Sequence, residues 1–119
     1  MFDRADIIDK NFIDFLQNDK LPIPSNTTLI SNTTLKSSDL ISLFESQVLS
    51  RHMDLKARSL KDEGKCFYTI GSSGHEGNAV FGNIFNINDI AFLHYRSTPF
   101  FIERSKQLPG TTPLYDLAL

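Results

Sequence analysis

The feature that most constrains this chain is one long helical segment with a start signal and a stop signal. Leucine, phenylalanine and valine recur at three- to four-residue steps through LISLFESQVLSRHMDLKARSLKDEG, the spacing that aligns side chains along one helix face. Ser37, Ser38 and Asp39 are candidate N-caps, and Gly64 stands where a helix C-terminus belongs. The sequence therefore predicts an amphipathic helix of about six turns at 3.6 residues per turn.

A second, shorter helix is predicted near the N-terminus, over residues 4–18. Its apolar positions at helical spacing are Ile8, Phe12, Phe15 and Leu16. Pro22 and Pro24 then oppose helix formation, and the SNTTL sequence that follows occurs twice. We expect an N-terminal helix and an extended linker over residues 1–38, followed by a domain over residues 39–119.

Two strands are predicted after the long helix. KCFYTIGSS is rich in β-branched and aromatic residues, which indicates a short strand or extended segment. INDIAFLHY, after a turn at residues 86–89, has the apolar character of a buried strand. Strands alternating with helices favour an α/β fold, helix-rich in this chain.

Three further helix starts are encoded downstream. Ser73 and Glu76 have the spacing of a capping box. Thr98-Pro99 and Thr112-Pro113 each offer an N-cap followed by proline at the first helical position.

The helix that follows the capping box carries small residues that would let another backbone approach closely. These residues are Gly77, Ala79 and Gly82. The helix is therefore expected to pack inside a larger body.

Composition narrows the class of protein. The net charge of −2 gives no basic footprint for nucleic acid. No apolar run approaches the length of a bilayer span, and the N-terminus lacks the apolar region of a signal peptide, so we predict a cytoplasmic protein. The single cysteine, Cys66, forms neither an internal disulfide nor a zinc site by itself.

Two short stretches could carry chemistry. In GSSGHEG, glycines beside a helix start expose backbone N–H groups that can hold phosphate, and His75 is an acid or base, a substrate contact, or a surface residue. Tyr95 and Arg96 follow the second predicted strand, at the end where α/β proteins bind ligands. An arginine there is a bidentate partner for phosphate; the alternative is a structural arginine paired with a carboxylate.

The order of these features resembles the alpha subunit of the thiamine-diphosphate-dependent decarboxylating component of 2-oxo acid dehydrogenase complexes. The resemblance covers residues 39–119. It is carried in order by SRHMDLKARSLKDEGK, FYTIGSSGHEG, NAVFGNIF and NDIAFLHYRSTPFFIER. The GHEG form and the FY approach are more similar to the branched-chain (2-oxoisovalerate) type than to the pyruvate type.

The resemblance implies roles for named residues. Tyr95 and Arg96 match the pair that contacts the diphosphate of the cofactor, and His75 is implied as a catalytic or active-site-wall residue. The residues implied in the substrate pocket are Phe67, Tyr68, Ser72 and Ser73.

The resemblance also implies cofactors, partners and a reaction. The cofactors are thiamine diphosphate and Mg²⁺. The partners are a beta subunit or fused beta part, a lipoyl-bearing acyltransferase component and a 2-oxo acid substrate. The implied reaction is oxidative decarboxylation of the 2-oxo acid, with transfer of the acyl group to the lipoyl carrier.

The sequence departs from the family pattern in three respects. It lacks the Gly-Asp-Gly stretch with a downstream asparagine that binds Mg²⁺ and diphosphate, and it lacks the glutamate that the family places on the beta part. Ser97-Thr98 stands where many relatives have an acidic residue. Because the last predicted helix is cut at Leu119, we expect the chain to be the front part of a longer protein. Because the metal-binding stretch and the glutamate are missing, we expect the chain alone to be inactive and to bind the cofactor weakly or not at all.

Two alternatives to the branched-chain enzyme stay open. One is the alpha subunit of a pyruvate or acetoin dehydrogenase. The other is a non-catalytic helical binding module in which the Tyr-Arg pair is structural.

Overall fold

A computed structural model describes residues 4–19, 26, 28–67 and 70–116. The chain divides into two compact units, Met1–Thr34 and Leu35–Leu119. The second unit thus begins slightly before residue 39, the predicted start of the domain.

The first unit contains helix α1, Arg4–Gln17, as the apolar spacing predicts, and a single 3₁₀ turn, Ile30–Asn32. The end of α1 is closed by Asn18, whose backbone N–H donates to the carbonyl of Asp14 at 3.0 Å. The apolar side chains of α1 are exposed, Phe12 by 57%.

Helix α2, Ser37–Asp62, dominates the second unit. Lys36 is its N-cap, and the carboxylate of Asp39 accepts the Lys36 backbone N–H at 2.8 Å. Asp39 therefore works from the third helical position rather than as a cap.

The end of α2 confirms the predicted stop. Gly64 has φ +72°, a conformation that glycine adopts without the Cβ penalty. The N–H of Lys65 reaches the carbonyl of Leu60 at 2.8 Å, and that of Gly64 reaches Lys61 at 2.9 Å. This pair of bonds is the Schellman motif.

The most deeply buried face of α2 is polar and small. Ser46, Ser50 and Asp54 are buried, whereas Phe44 on the apolar stripe is 63% exposed. The three buried residues follow one another at four-residue steps, so they share one face. Small side chains there let neighbouring segments approach α2 closely, and the apolar stripe is at most half-buried.

The two predicted strands do not form in the described residues. Residues 65–67, 70–73 and 87–95 contain no strand, and the supposed buried residues Ile90 and Phe92 are 84% and 98% exposed. A strand needs a neighbour to accept its backbone hydrogen bonds, and the described part of the chain provides none. The α/β class as a whole stays a prediction.

The turn before the second of these segments is confirmed. The Asp89 N–H donates to the Asn86 carbonyl at 2.9 Å, and the Asp89 carboxylate accepts the Asn86 N–H at 2.7 Å.

Helix α3, Ala79–Ile84, follows a 3₁₀ turn, Glu76–Asn78, and so begins later than the capping box predicts. Glu76 does reach back, but its carboxylate accepts the N–H of Gly74 at 2.8 Å rather than that of Ser73. The sharp turn at Gly74, with φ +85°, separates the predicted cap from the helix.

Helix α4, Thr98–Ser105, packs directly on α3. A Cβ atom at Gly82 would overlap the carbonyl oxygen of Phe100, and Ala79 is fully buried, so the predicted small-residue face is confirmed at these two positions. Gly77 faces open space instead.

Helices α4 and α5 begin near their predicted starts. Ser97 rather than Thr98 is the N-cap of α4, which places Pro99 in the second helical position. Helix α5, Pro113–Asp116, begins at the predicted proline, and the Asp116 carboxylate accepts the Thr112 N–H at 3.0 Å.

A buried carboxylate ties α2, α3 and α4 together. Glu103, only 3% exposed, accepts hydrogen bonds from the Ser46 hydroxyl, from Lys106 Nζ at 2.9 Å and from Asn83 Nδ2 at 3.1 Å. The apolar core around it is small: among the described residues, the buried hydrophobic side chains are Ala79, Phe100 and Ile102.

Within the described residues, no helix combines the length and apolar character needed to cross a membrane.

Candidate anion-binding site

Two turns that the sequence singles out meet in the second unit. The first turn covers residues 71–75 and the second covers residues 94–97. Arg96 Nη1 of the second turn donates to the Gly71 carbonyl of the first at 2.8 Å. The rings of His75 and His94 meet edge to face, with centroids 5.6 Å apart. Stretches far apart in sequence therefore form one local site.

The first turn is anchored from inside by α2. Ser72 is fully buried, and both its N–H and its hydroxyl donate to Asp54 Oδ2, at 2.8 and 3.0 Å. The Ser72 hydroxyl also lies 2.6 Å from that of Ser50. The carbonyl of Ser72 accepts the His75 N–H at 2.8 Å, which closes the turn.

The second turn is closed by its own polar groups. The His94 N–H donates to the Ser97 hydroxyl at 3.1 Å, and the Ser97 N–H donates to the His94 carbonyl at 2.9 Å. The Arg96 N–H donates to His94 Nδ1 at 3.0 Å. Helix α4 begins directly after Ser97, so the second turn leads straight into a packed helix.

The charges of the site are separated. Arg96 is half-buried, its Cζ lies 5.3 Å from the centroid of the Tyr95 ring, and no carboxylate of the described residues forms an ion pair with it. Tyr95 itself is 62% exposed. Asp54 is instead close to Arg51, with Nη1 and Oδ2 3.7 Å apart. A half-buried cation thus belongs to the second turn, while the anion, Asp54, is buried against the first turn.

The described contacts that join the two turns include neither Ser73 nor Phe67, two of the remaining predicted site residues. Ser73 is exposed, Phe67 is fully exposed to solvent, and Tyr68 lies outside the described residues. The apolar pocket wall assigned to Phe67 and Tyr68 stays a prediction.

An apolar cavity of about 370 Å³ lies beside the second turn, with His94 and Ser97 in its lining. Its other walls come mainly from α3, α4 and the segment before the turn: Phe81, Phe85, Ile90, Phe92, Leu93 and Phe100. The second turn therefore contributes His94 and Ser97 to a mainly apolar pocket, whereas Arg96 is not among the residues that line it.

Sequence reasoning missed the residues that hold the site from below, Asp54, Ser50 and Gly71. A signal for two of them was present, because Ser46, Ser50 and Asp54 recur at four-residue steps on one face of an otherwise amphipathic helix. Such a polar row marks a face that packs against polar backbone rather than an apolar core.

The described residues contain no group of three or more histidine, cysteine, aspartate or glutamate side chains that could hold a metal ion. Comparison with protein-family models, curated proteins and solved structures finds no match.

Proposed function

We propose that this chain forms part of the alpha subunit of a cytoplasmic, thiamine-diphosphate-dependent 2-oxo acid dehydrogenase of the branched-chain type. The observation that carries the proposal is the Arg96 guanidinium, which is held between two turns and has no carboxylate partner among the described residues. The resemblance of the sequence motifs supplies the identity of the anion, the diphosphate of the cofactor.

The donor chemistry of the site fits a diphosphate. A guanidinium is permanently charged and planar, with several N–H donors in a fork that matches phosphate oxygens. The hydrogen bond to the Gly71 carbonyl occupies one of these donors. The exposed Tyr95 side chain can add its hydroxyl as a further donor.

The site residues of this chain have limited parts in the proposed reaction. When bound, thiamine diphosphate supplies the carbon nucleophile and the electron sink for decarboxylation. Arg96 and Tyr95 hold its anionic end, and His75 is the candidate group for moving a proton near the substrate. By the resemblance, the Mg²⁺ ligands lie in other parts of the enzyme, and the lipoyl acceptor belongs to a separate component of the complex.

A non-catalytic binding module is the second candidate, and one observation favours it. Ile90 and Phe92 are almost fully exposed, as residues at a protein-protein contact would be before the partner binds. In that case the Arg96 contact to Gly71 serves only to join the two turns.

A ligand titration followed by NMR separates the two candidates. Thiamine diphosphate is added with Mg²⁺ to the isotope-labelled chain, and thiamine, which lacks the diphosphate, is the matched control ligand. We expect weak binding, with a Kd of about 1 mM, and amide shifts at residues 71–76 and 94–97 that thiamine does not produce. Equal shifts with both ligands, or diphosphate-dependent shifts only at other residues, would contradict the proposal and leave the binding module.

A further inference from the structure

We propose that Asp54 is a positioning residue that sets the direction of the Arg96 guanidinium through a single peptide group. The carboxylate of Asp54 and the guanidinium of Arg96 do not touch each other; both bond to the peptide that joins Gly71 to Ser72. This inference rests on the proposed function in one respect, which is that Arg96 is the ligand for the diphosphate.

The geometry of a peptide group explains how one end controls the other. The carbonyl of Gly71 and the N–H of Ser72 belong to the same plane, and the bond between them resists rotation. The described peptide bonds are all trans, so these two dipole ends point in opposite directions. Asp54 Oδ2 holds the N–H at 2.8 Å, and Arg96 Nη1 meets the carbonyl at 2.8 Å. Fixing the N–H on the α2 side therefore aims the carbonyl at Arg96.

The close approach of Asp54 depends on a glycine. A Cβ atom at position 71 would lie 2.9 Å from Asp54 Oδ2 and 3.2 Å from its Cγ, closer than such atoms are normally found. Ser72 adds a second bond from its hydroxyl to the same oxygen at 3.0 Å. Because Ser72 is fully buried, no water can readily replace the carboxylate as acceptor.

The arrangement also has an electrostatic consequence. A carboxylate at the N–H end and a guanidinium at the carbonyl end polarise the peptide in the same sense, which strengthens both hydrogen bonds. A direct ion pair would instead neutralise Arg96. Arg51, 3.7 Å from Asp54 Oδ2, balances the buried charge, so the charge of Arg96 stays available to an anionic ligand.

The test uses Asp54→Ala with two readouts. The first is the NMR signal of the Arg96 Nε–Hε group without ligand, assigned by its loss in Arg96→Lys. The second is the Kd for thiamine diphosphate. In Asp54→Ala we expect the Arg96 signal to move to the position of freely exposed arginines and the Kd to rise about tenfold, the equivalent of about 1.4 kcal/mol. Asp54→Asn should recover most of both, because its amide oxygen can still accept the Ser72 N–H.

Ser50→Ala is the matched control. It removes a buried hydrogen bond to Ser72 but leaves the Asp54 contact to the peptide, so it should lower thermal stability without moving the Arg96 signal. If Asp54→Ala does not fold, Gly71→Ala replaces it, since the added methyl group displaces the carboxylate while every other side chain is kept.

The outcomes distinguish this inference from the proposed function. An unchanged Arg96 signal in folded Asp54→Ala or Gly71→Ala, or an equal change in Ser50→Ala, overturns the positioning role. If thiamine diphosphate binds the unaltered chain away from these two turns, the proposed function fails, but the Arg96 signal of the ligand-free protein still decides whether Asp54 positions Arg96.

Discussion

Arg96 and Glu103 show two ways in which this chain places a charge. Arg96 is half-buried and bonds to a backbone carbonyl, with no carboxylate of the described residues in an ion pair with it, as a ligand-binding group requires. Glu103 is buried and surrounded by donors from Ser46, Asn83 and Lys106, as a structural group requires. Arg96 therefore keeps N–H donors for a ligand, whereas the carboxylate oxygens of Glu103 accept hydrogen bonds within the fold.

The Glu103 carboxylate should make stability depend on acid. Burial raises its pKa, but the hydrogen bonds from Lys106, Ser46 and Asn83 and the charge of Lys106 outweigh burial, so the pKa lies below the ordinary value of 4.5. A carboxylate with a lowered folded-state pKa stabilises above its unfolded-state value and loses that contribution as the pH falls through the folded-state pKa.

We predict that Glu103→Gln lowers the free energy of unfolding by about 1.5–3 kcal/mol at neutral pH, the usual range for hydrogen bonds to a charged group. The difference in the free energy of unfolding from the unaltered chain should close as the pH falls through the lowered folded-state pKa of Glu103. Urea denaturation at a series of pH values measures this difference in the free energy of unfolding. Glu63→Gln is the control: its pKa is also lowered, chiefly by a hydrogen bond from Lys65, but the group is exposed and should contribute little. A pH-independent gap at Glu103 would contradict this account.

The contact between α3 and α4 depends on one glycine. At Gly82 a Cβ atom would overlap the backbone carbonyl of Phe100 and lie 3.1 Å from the Cβ of Glu103. Backbone cannot yield as a side chain can, so the helices would have to separate.

We predict that Gly82→Ala destabilises the second unit by about 1–3 kcal/mol, the cost of overpacking, although alanine is the better helix former by about 1 kcal/mol. Gly77→Ala is the matched control, because that position meets nothing within 4 Å and should change stability little. Thermal denaturation of both variants tests the contact, and equal effects at the two positions would show that α3 and α4 do not pack as described.

The elements show what could be predicted from sequence and what could not. Local signals fixed α1, the end of α2 at Gly64, and the start of α5 at Pro113, because caps and stops depend on adjacent residues. The side of α2 that packs could not be read from its apolar periodicity, since Ser46, Ser50 and Asp54 pack instead.

The two predicted strands do not form in the described part of the chain, for a related reason. The segment around Ile90 and Phe92 has the composition of a buried strand, but composition does not provide a neighbouring strand. The two stretches of the candidate site, GSSGHEG and LHYRST, could both be identified from the sequence. Their contact with each other could not, because it depends on Gly71 and Asp54, which are brought together only in the tertiary structure.

At the scale of the whole molecule, many large apolar side chains are exposed. Among the most exposed are Phe67, Phe92, Ile90 and Ile84, between 71% and 101% accessible. We predict that the chain associates with itself or aggregates at high concentration and binds a hydrophobic dye, because such surfaces favour contact over water.

Sedimentation velocity over a concentration series tests this prediction. The double variant Ile90→Ser, Phe92→Ser should reduce both association and dye binding, whereas Ile7→Ser on α1, only 39% exposed in the unaltered chain, should change them less. A compact monomer at high concentration that binds no dye would count against it.

We infer that Arg96 binds an anion rather than serving as a structural residue. A charge-assisted hydrogen bond contributes about 1.5–3 kcal/mol, which corresponds to roughly ten- to a hundredfold in affinity. Lysine at the same position keeps the charge but loses the planar fork, so Arg96→Lys should recover only part of the binding. Lys56→Ala, about 200° around α2 from Asp54, removes an exposed cation elsewhere and should leave binding unchanged.

The most direct measurement is therefore the Kd for thiamine diphosphate and the Tm of the ligand-free protein, both determined on Arg96→Ala in the complete enzyme. We predict that the Kd rises roughly ten- to a hundredfold while the Tm changes little. A clear fall in Tm, with the Kd of the folded fraction unchanged, would contradict it and identify Arg96 as a structural link between the two turns.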